Sequence, residues 1–330
     1  MSYNNVQVQE FEDSKLSLKA FFATTSANQS ISIGGCRVMN YPTSEEALND
    51  AVNLARNMTL KYRVVNLPYG GFKAVVHSLD NSRRSQCFER IGDWVESYGG
   101  KCYIATDVGS SLDDMCAVHK NTDYVLDLAV EHGGFGSFIP LLTEGVVNGL
   151  RASLKHKYGT ENFEGLSAYV LGFGNSGMAI ARSLKGLGCV VSGFDIDTQR
   201  NLEAQNEGIY IVEDFTKGRY DLFVPCSVGN VLNETNSNQV NFDIVGGSAN
   251  HPVSDVADKM LHSKGIIVIP DFVISSGAIV LDDLLVTGEK ATLEEGLRRT
   301  NRIYEFVNRI FQNQSDGKTM RETALELLGY

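Results

Sequence analysis

No stretch of the 330-residue chain reaches about 18 consecutive apolar residues, so a membrane-spanning helix is not expected. The opening stretch, MSYNNVQVQEFEDSKL, has no apolar core, and a signal peptide is not expected either. Positive charge is in short supply, with 29 Lys and Arg against 40 Asp and Glu and a formal net charge of −11. That balance argues against a nucleic-acid backbone or an anionic membrane as partner, but not against a small anion gripped by local lysines. The six cysteines (Cys36, Cys87, Cys102, Cys116, Cys189, Cys226) include no CxxC pair. Such usage fits a reduced, cytoplasmic protein whose thiols serve as small buried apolar groups. The six histidines fall in neither HExxH nor facial-triad spacing, so no metal site is expected. Apolar residues, at 43%, are plentiful enough for two packed domains or one large α/β unit.

Thr43 and Glu46 have capping-box spacing, and Ala47, Leu48, Ala51, Leu54, Ala55 and Met58 follow at helical intervals. This predicts a helix over 44–61 with one apolar face and Lys61 near its C-terminal end. The stretch NLPYGGFKAVV (66–76) then leads into a short strand beginning at Lys73, through glycines that suit a tight turn, close approach of a ligand, or both. A helix is expected over 85–96 and a strand over 102–106. Asp107 follows at that strand's C-terminal end, where parallel α/β folds form ligand sites. Asp113 and Asp114 read as caps of the next helix. A change of composition at EHGGFGS (131–137) marks a domain junction, with His132 as a loop residue or a hinge contact. Beyond it, helices are predicted over 142–156, 178–187 and 291–311. Strands are predicted over 167–171, 189–194, 221–224, 242–245 and 265–269.

The strongest motif is GFGNSG (172–177), which has a strand before it, a helix after it, and Asp195 ending the next strand. Gly172 permits the tight turn, Gly174 lets a pyrophosphate approach the backbone, and Gly177 allows close helix packing. With Asn175 and Ser176 they make up the expected cofactor-binding turn, whose helix N-terminus offers free N–H groups to phosphates. Asp195 is placed to accept hydrogen bonds from the adenosine ribose, with Asp197 as the alternative if the strand runs two residues further. A carboxylate there repels a 2′-phosphate, which favours NAD over NADP.

Taken with GGCRV (34–38), LARNMTLK (54–61), GGFK (70–73), TDVG (106–109), GSAN (247–250) and PDFVI (270–274), the chain resembles the Glu/Leu/Phe/Val dehydrogenase family. The leucine dehydrogenase branch is the most similar. The resemblance implies an N-terminal substrate and oligomerisation domain (1–138, joined by C-terminal helices 290–330) and a Rossmann-type dinucleotide-binding domain (139–289), separated by a cleft. It also implies a homo-oligomer and NAD-dependent oxidative deamination of an apolar or aromatic L-amino acid. By the same resemblance Lys61 grips the substrate carboxylate, Lys73 and Asp107 are catalytic, and Gly34 and Gly35 lie beside the substrate. Cys226 and Asn250 fall on cofactor-side loops. Lys73, crowded by cationic Lys61 and partly desolvated, is expected to lose its proton easily and act as a base toward water.

Several positions depart from the family pattern. Its third glycine before the lysine is Phe72, expected to cap or fill the substrate pocket. Its threonine ahead of the nucleotide domain is Leu142, with Thr143 one position later. Its Asn-Ala-Gly-Gly is SSGA (275–278), so Ser275 and Ala278 stand where an asparagine and a glycine are usual, and serine cannot make the same pair of amide contacts. These changes leave open a specialised biosynthetic or imine-forming enzyme, and a noncatalytic homologue that binds cofactor.

Overall fold

The computed structural model describes residues 6–25, 31–132, 134–227 and 229–330. Two compact units emerge, Met1–Ser137 with Asp282–Thr292, and Phe138–Leu281 with Leu293–Tyr330.

In chain order the first unit holds β1 (Gln7–Asp13), β2 (Leu18–Thr24), β3 (Ser32–Val38), α1 (Ser44–Val64), β4 (Gly70–Ser78), α2 (Arg84–Glu96), β5 (Cys102–Thr106) and α3 (Leu112–His119). Its sheet has the order β1-β2-β4-β3-β5, antiparallel across β1, β2 and β4 and parallel across β4, β3 and β5. Alternation along β4 decides what each face does. Phe72, Ala74 and Val76 join a core built with α2 and α3, while Val75 joins Ala47, Ala51, Leu54 and Ala55 of α1 on the other face. Lys73, in step with Val75, therefore stands on the α1 side.

The glycine pair lies inside β4 and not in a turn before it. A Cβ on Gly71 would sit 1.8 Å from the Ala55 carbonyl oxygen and 2.8 Å from the Thr59 amide nitrogen. Glycine there lets α1 press onto the strand, and the Thr59 hydroxyl accepts the Gly71 N–H at 2.9 Å. The helix begins as expected, with Thr43 capping the Glu46 N–H at 3.2 Å. Ser111 caps α3, with Asp114 completing the capping box.

The second unit follows with α4 (Ile139–Tyr158), β6 (Ser167–Leu171), α5 (Asn175–Gly186), β7 (Val190–Phe194), α6 (Thr198–Asn206), β8 (Tyr210–Ile211), β9 (Tyr220–Pro225), β10 (Phe242–Val245), α7 (Asp255–Ser263), β11 (Ile267–Val268) and α8 (Asp271–Ile274). All six strands are parallel, in the order β11-β10-β9-β6-β7-β8. The order reverses beside β6, the point at which open α/β sheets bind ligands. The chain returns to the first unit for α9 (Asp282–Thr287) and closes with α10 (Leu293–Arg299), α11 (Asn301–Asn313) and α12 (Met320–Leu327) in the second. Sequence reasoning joined 290–330 to the first unit, but α11 buries Ile303, Phe306, Val307 and Ile310 and packs along α4. Asn148 of α4 also donates to the Thr300 hydroxyl at 3.0 Å.

Asp282 anchors the returning segment. Its buried carboxylate accepts the Tyr62 hydroxyl at 2.6 Å. Burial, with the charge of Asp127 adding to it, pushes this carboxyl well above the usual carboxylate range. The folded state therefore prefers the protonated acid, so this group's contribution to stability is present at acid pH and is lost as pH rises. Asp282→Asn is expected to flatten the decline of melting temperature between about pH 5 and 8. An unchanged pH slope would show that Asp282 titrates normally.

Candidate active site

The C-terminal end of β5 is fastened before it reaches Asp107. Buried Asp127 accepts the Thr106 N–H at 2.8 Å, and the Ser110 hydroxyl accepts the Asp107 N–H at 2.9 Å while donating to the Cys36 carbonyl at 2.7 Å. From this fixed turn the Asp107 carboxylate meets Lys73 Nζ at 2.8 Å through Oδ2. The lysine is only 4% exposed.

Gly35 makes room for this pair. A Cβ there would lie 2.8 Å from Asp107 Cβ and 3.2 Å from Lys73 Nζ. Gly34 does different work, because its missing Cβ would collide with the Phe72 carbonyl oxygen at 1.6 Å, which makes it a strand-contact glycine. Lys61 lies partly buried in the last turn of α1.

One expectation needs correcting. Phe72 does not enter the site. It is fully buried on the opposite face from Lys73, its ring edge-on to Phe22 at 5.3 Å and to Tyr98 at 6.3 Å. A cation that sequence reasoning left inside the GGCRV motif without a role, Arg37 of β3, also acts on Lys73. Arg37 Nε donates to Asp107 Oδ2 at 2.7 Å, and Nη1 donates to Asp50 Oδ2 at 3.1 Å. Position on β3 was the available signal, since Gly35 and Arg37 share a face.

Burial lowers the Lys73 ammonium from its ordinary value, Asp107 works against that shift, and Arg37 adds to it. Asp107 is desolvated too, but its two cations outweigh the penalty and hold it far below the usual carboxylate range. The result is a fixed anion beside an amine that gives up its proton more easily than a surface lysine.

In the second unit the strand ends converge. Gly172 adopts a left-handed φ of +96°, and a Cβ on Gly177 would come within 2.0 Å of the Gly172 carbonyl oxygen. Among the described residues, a Cβ above Gly174 would meet only Arg200 Nη1, at 3.8 Å, which leaves the turn open to them where a pyrophosphate would approach. Asn175 is exposed, and Ser176 accepts the Ser248 hydroxyl at 3.1 Å, tying the helix start to the loop that carries Asn250. Cys226 follows β9, its thiol pushed up by burial. Asp195 closes β7 with its carboxylate accepting the Phe173 N–H at 2.6 Å and the Asp197 N–H at 2.9 Å. Each oxygen keeps a lone pair for a ribose hydroxyl. Asp197 caps α6, and Arg200 stands 3.5 Å from Asp195 and 3.7 Å from Asp197. The turn, the free helix start and the acidic strand end together fit a dinucleotide.

Ser275 is buried and donates to the Asp271 carbonyl at 2.6 Å, so its one hydroxyl proton is committed to backbone. Leu142 lies in the first turn of α4, and the Thr143 hydroxyl beside it is buried with no hydrogen-bond partner among the described residues. Among the described residues, no group of three or more His, Cys, Asp or Glu could hold a metal ion. No helix among them is long and apolar enough to cross a membrane. His132 ends a short 3-10 turn, and its neighbour Gly133 lies outside the described residues.

The profile described as Glu/Leu/Phe/Val dehydrogenase, dimerisation domain matches residues 3–124, and that of Glutamate/Leucine/Phenylalanine/Valine dehydrogenase matches 193–313. Leucine dehydrogenase of Bacillus cereus is 30% identical over 323 residues, covering 96% of this chain and 87% of the relative. The chain belongs to the Glu/Leu/Phe/Val dehydrogenase family. Phenylalanine dehydrogenase of Bacillus thermotolerans is likewise 30% identical, over 96% of this chain and 86% of its own. Among solved structures, L-tryptophan dehydrogenase from Nostoc punctiforme superposes with a TM-score of 0.78 at 26% identity, covering 98% of this chain and 94% of that one.

Proposed function

We propose that this family member catalyses the reversible, NAD-dependent oxidative deamination of an apolar or aromatic L-amino acid. The observation that carries the reading is the buried Lys73 held 2.8 Å from an ionised Asp107. Relatives named for leucine, phenylalanine and tryptophan support the substrate class. The balanced reaction is amino acid, NAD⁺ and water giving 2-oxo acid, ammonium, NADH and a proton. The glycine turn at 172–177 and Asp195 would hold the dinucleotide, which would supply the acceptor for the hydride of Cα. Lys61 would hold the substrate carboxylate. With Lys73 neutral, Asp107 loses one of the two cations that hold it ionised, and its carboxylate then accepts a proton from the substrate ammonium and returns it to nitrogen as ammonia leaves. Neutral Lys73 takes a proton from the water that adds to the iminium carbon; as the C–N bond of the carbinolamine breaks, its hydroxyl proton passes to solvent and the Lys73 ammonium steadies the charge that develops on oxygen. The dimerisation-domain match supports a homo-oligomer. The decisive screen offers amino acids with NAD, and 2-oxo acids with NADH and ammonia. Turnover of glutamate with none of apolar substrates would sink the assignment. Turnover only toward reduction would favour a biosynthetic enzyme, and none at all a cofactor-binding homologue.

The cofactor choice has its own test. NADH is expected to bind more tightly than NADPH, because Asp195 and Asp197 oppose a 2′-phosphate. Arg200, between them, offsets part of that repulsion, so Arg200→Gln is expected to widen the gap by about tenfold. Fluorescence titration of both reduced dinucleotides reads this directly. Equal affinities in the wild type would remove the NAD preference.

A further inference from the structure

We propose that Arg37 is a positioning residue for the Lys73–Asp107 pair: clamped by Asp50 and Tyr41, it pins Oδ2 of Asp107 beside the lysine and supplies the second positive charge that Lys73 faces. The consequence for turnover rests on the dehydrogenase reading, while the geometry stands apart from it. Asp107 Oδ2 takes Arg37 Nε at 2.7 Å and Lys73 Nζ at 2.8 Å. Both cations share one oxygen, and Oδ1 takes no hydrogen bond among the described residues, so it is left for the substrate amine.

A guanidinium this deeply placed needs its remaining donors met. Asp50 of α1 accepts Nη1 at 3.1 Å and also accepts the Tyr41 hydroxyl at 2.5 Å. The chain Tyr41, Asp50, Arg37, Asp107, Lys73 thus runs from the segment before α1, through the helix and β3, to β5 and β4. Two other ionisable groups beside it carry no charge. Burial pushes the Cys36 thiol up to about 12 and raises the Tyr41 phenol, so both stay neutral. Lys73 therefore feels Asp107 and Asp50 as anions and Arg37 as a cation.

That arrangement makes two variants move the same amine in opposite directions. Arg37→Gln removes a cation, so the Lys73 ionisation is expected to rise by about one pH unit, with turnover falling at least roughly tenfold as Asp107 loosens. Asp50→Asn leaves the Arg37 charge unbalanced, so the same ionisation is expected to fall. Arg37→Lys keeps the charge but not the fork, and is expected to recover part of the turnover only. Two readouts are used on the full chain: the pH profile of kcat/KM, and a titration of 13Cε-labelled lysine by NMR with Lys73 assigned through Lys73→Arg. The second needs no turnover, so opposite shifts in a catalytically silent protein would support the clamp while removing the dehydrogenase reading. Shifts in the same direction, or lost turnover with no shift, would overturn the proposal. If Arg37→Gln does not fold, Asp50→Asn decides alone, since its carboxylate is partly exposed and a fall in the Lys73 ionisation is required.

Discussion

Lys73→Ala is expected to cost about 10²–10⁴-fold in turnover while leaving NADH affinity within about twofold. The fold should survive, because Asp107 keeps Arg37 as its counter-ion at 2.7 Å after the lysine is gone. The glycine turn that would take the dinucleotide is built from residues of the other compact unit. The acid limb of kcat/KM for deamination should reflect the lysine. Burial lowers its ionisation from the ordinary lysine value, so the rate should climb with pH below the range of an ordinary lysine. Asp107→Asn is expected to be similarly damaging, since an amide keeps the shape but carries no proton. It also removes the anion that raises Lys73, so any residual activity should show its acid limb moved to lower pH. A Lys73→Ala protein retaining more than about a tenth of wild-type turnover would exclude the lysine as the base.

Legibility in the sequence followed the strength of local signals. The strands 102–106, 167–171 and 242–245 fall where expected, because each is a short apolar run bounded by turn residues and closed over in a parallel sheet. The glycine turn and Asp195 are placed by spacing alone. Of the three N-terminal strands, none assigned from sequence, β2 (LKAFFAT) is such an apolar run, while β1 and β3 had no such signal. In β1 the side chains are solvated along most of the strand, and β3 contains a glycine pair that reads as a turn when its pairing with β4 and β5 is unknown. The same blindness affected GGFK (70–73), whose glycines sit in a strand because α1 presses on Gly71. Arg37 was missed because its role depends on Asp50 and Asp107, 13 and 70 positions away, meeting it in space. The long helical pattern over 291–311 is broken at buried Thr300, whose hydroxyl donates to the Leu297 carbonyl at 2.7 Å.

Phe72→Gly, the change that would restore the usual family residue, is expected to destabilise the protein and not to change its substrate preference. The ring is fully buried between Phe22 and Tyr98, in the core that also holds Trp94 and Phe88. Truncating a buried phenylalanine to alanine costs about 3–5 kcal/mol, and glycine within a strand adds roughly 0.5–1 kcal/mol. That is a large part of the about 5–15 kcal/mol that holds a typical domain together, and corresponds to a melting temperature lower by on the order of 10 °C. Lys73 should remain in register, because the neighbouring β4 pairings with β2 and β3 are made by backbone groups. Ratios of kcat/KM across the amino-acid series, measured below the melting transition, should therefore match the wild type. A stable variant with a changed substrate series would place the ring against the substrate, and the core position assigned to it would be wrong.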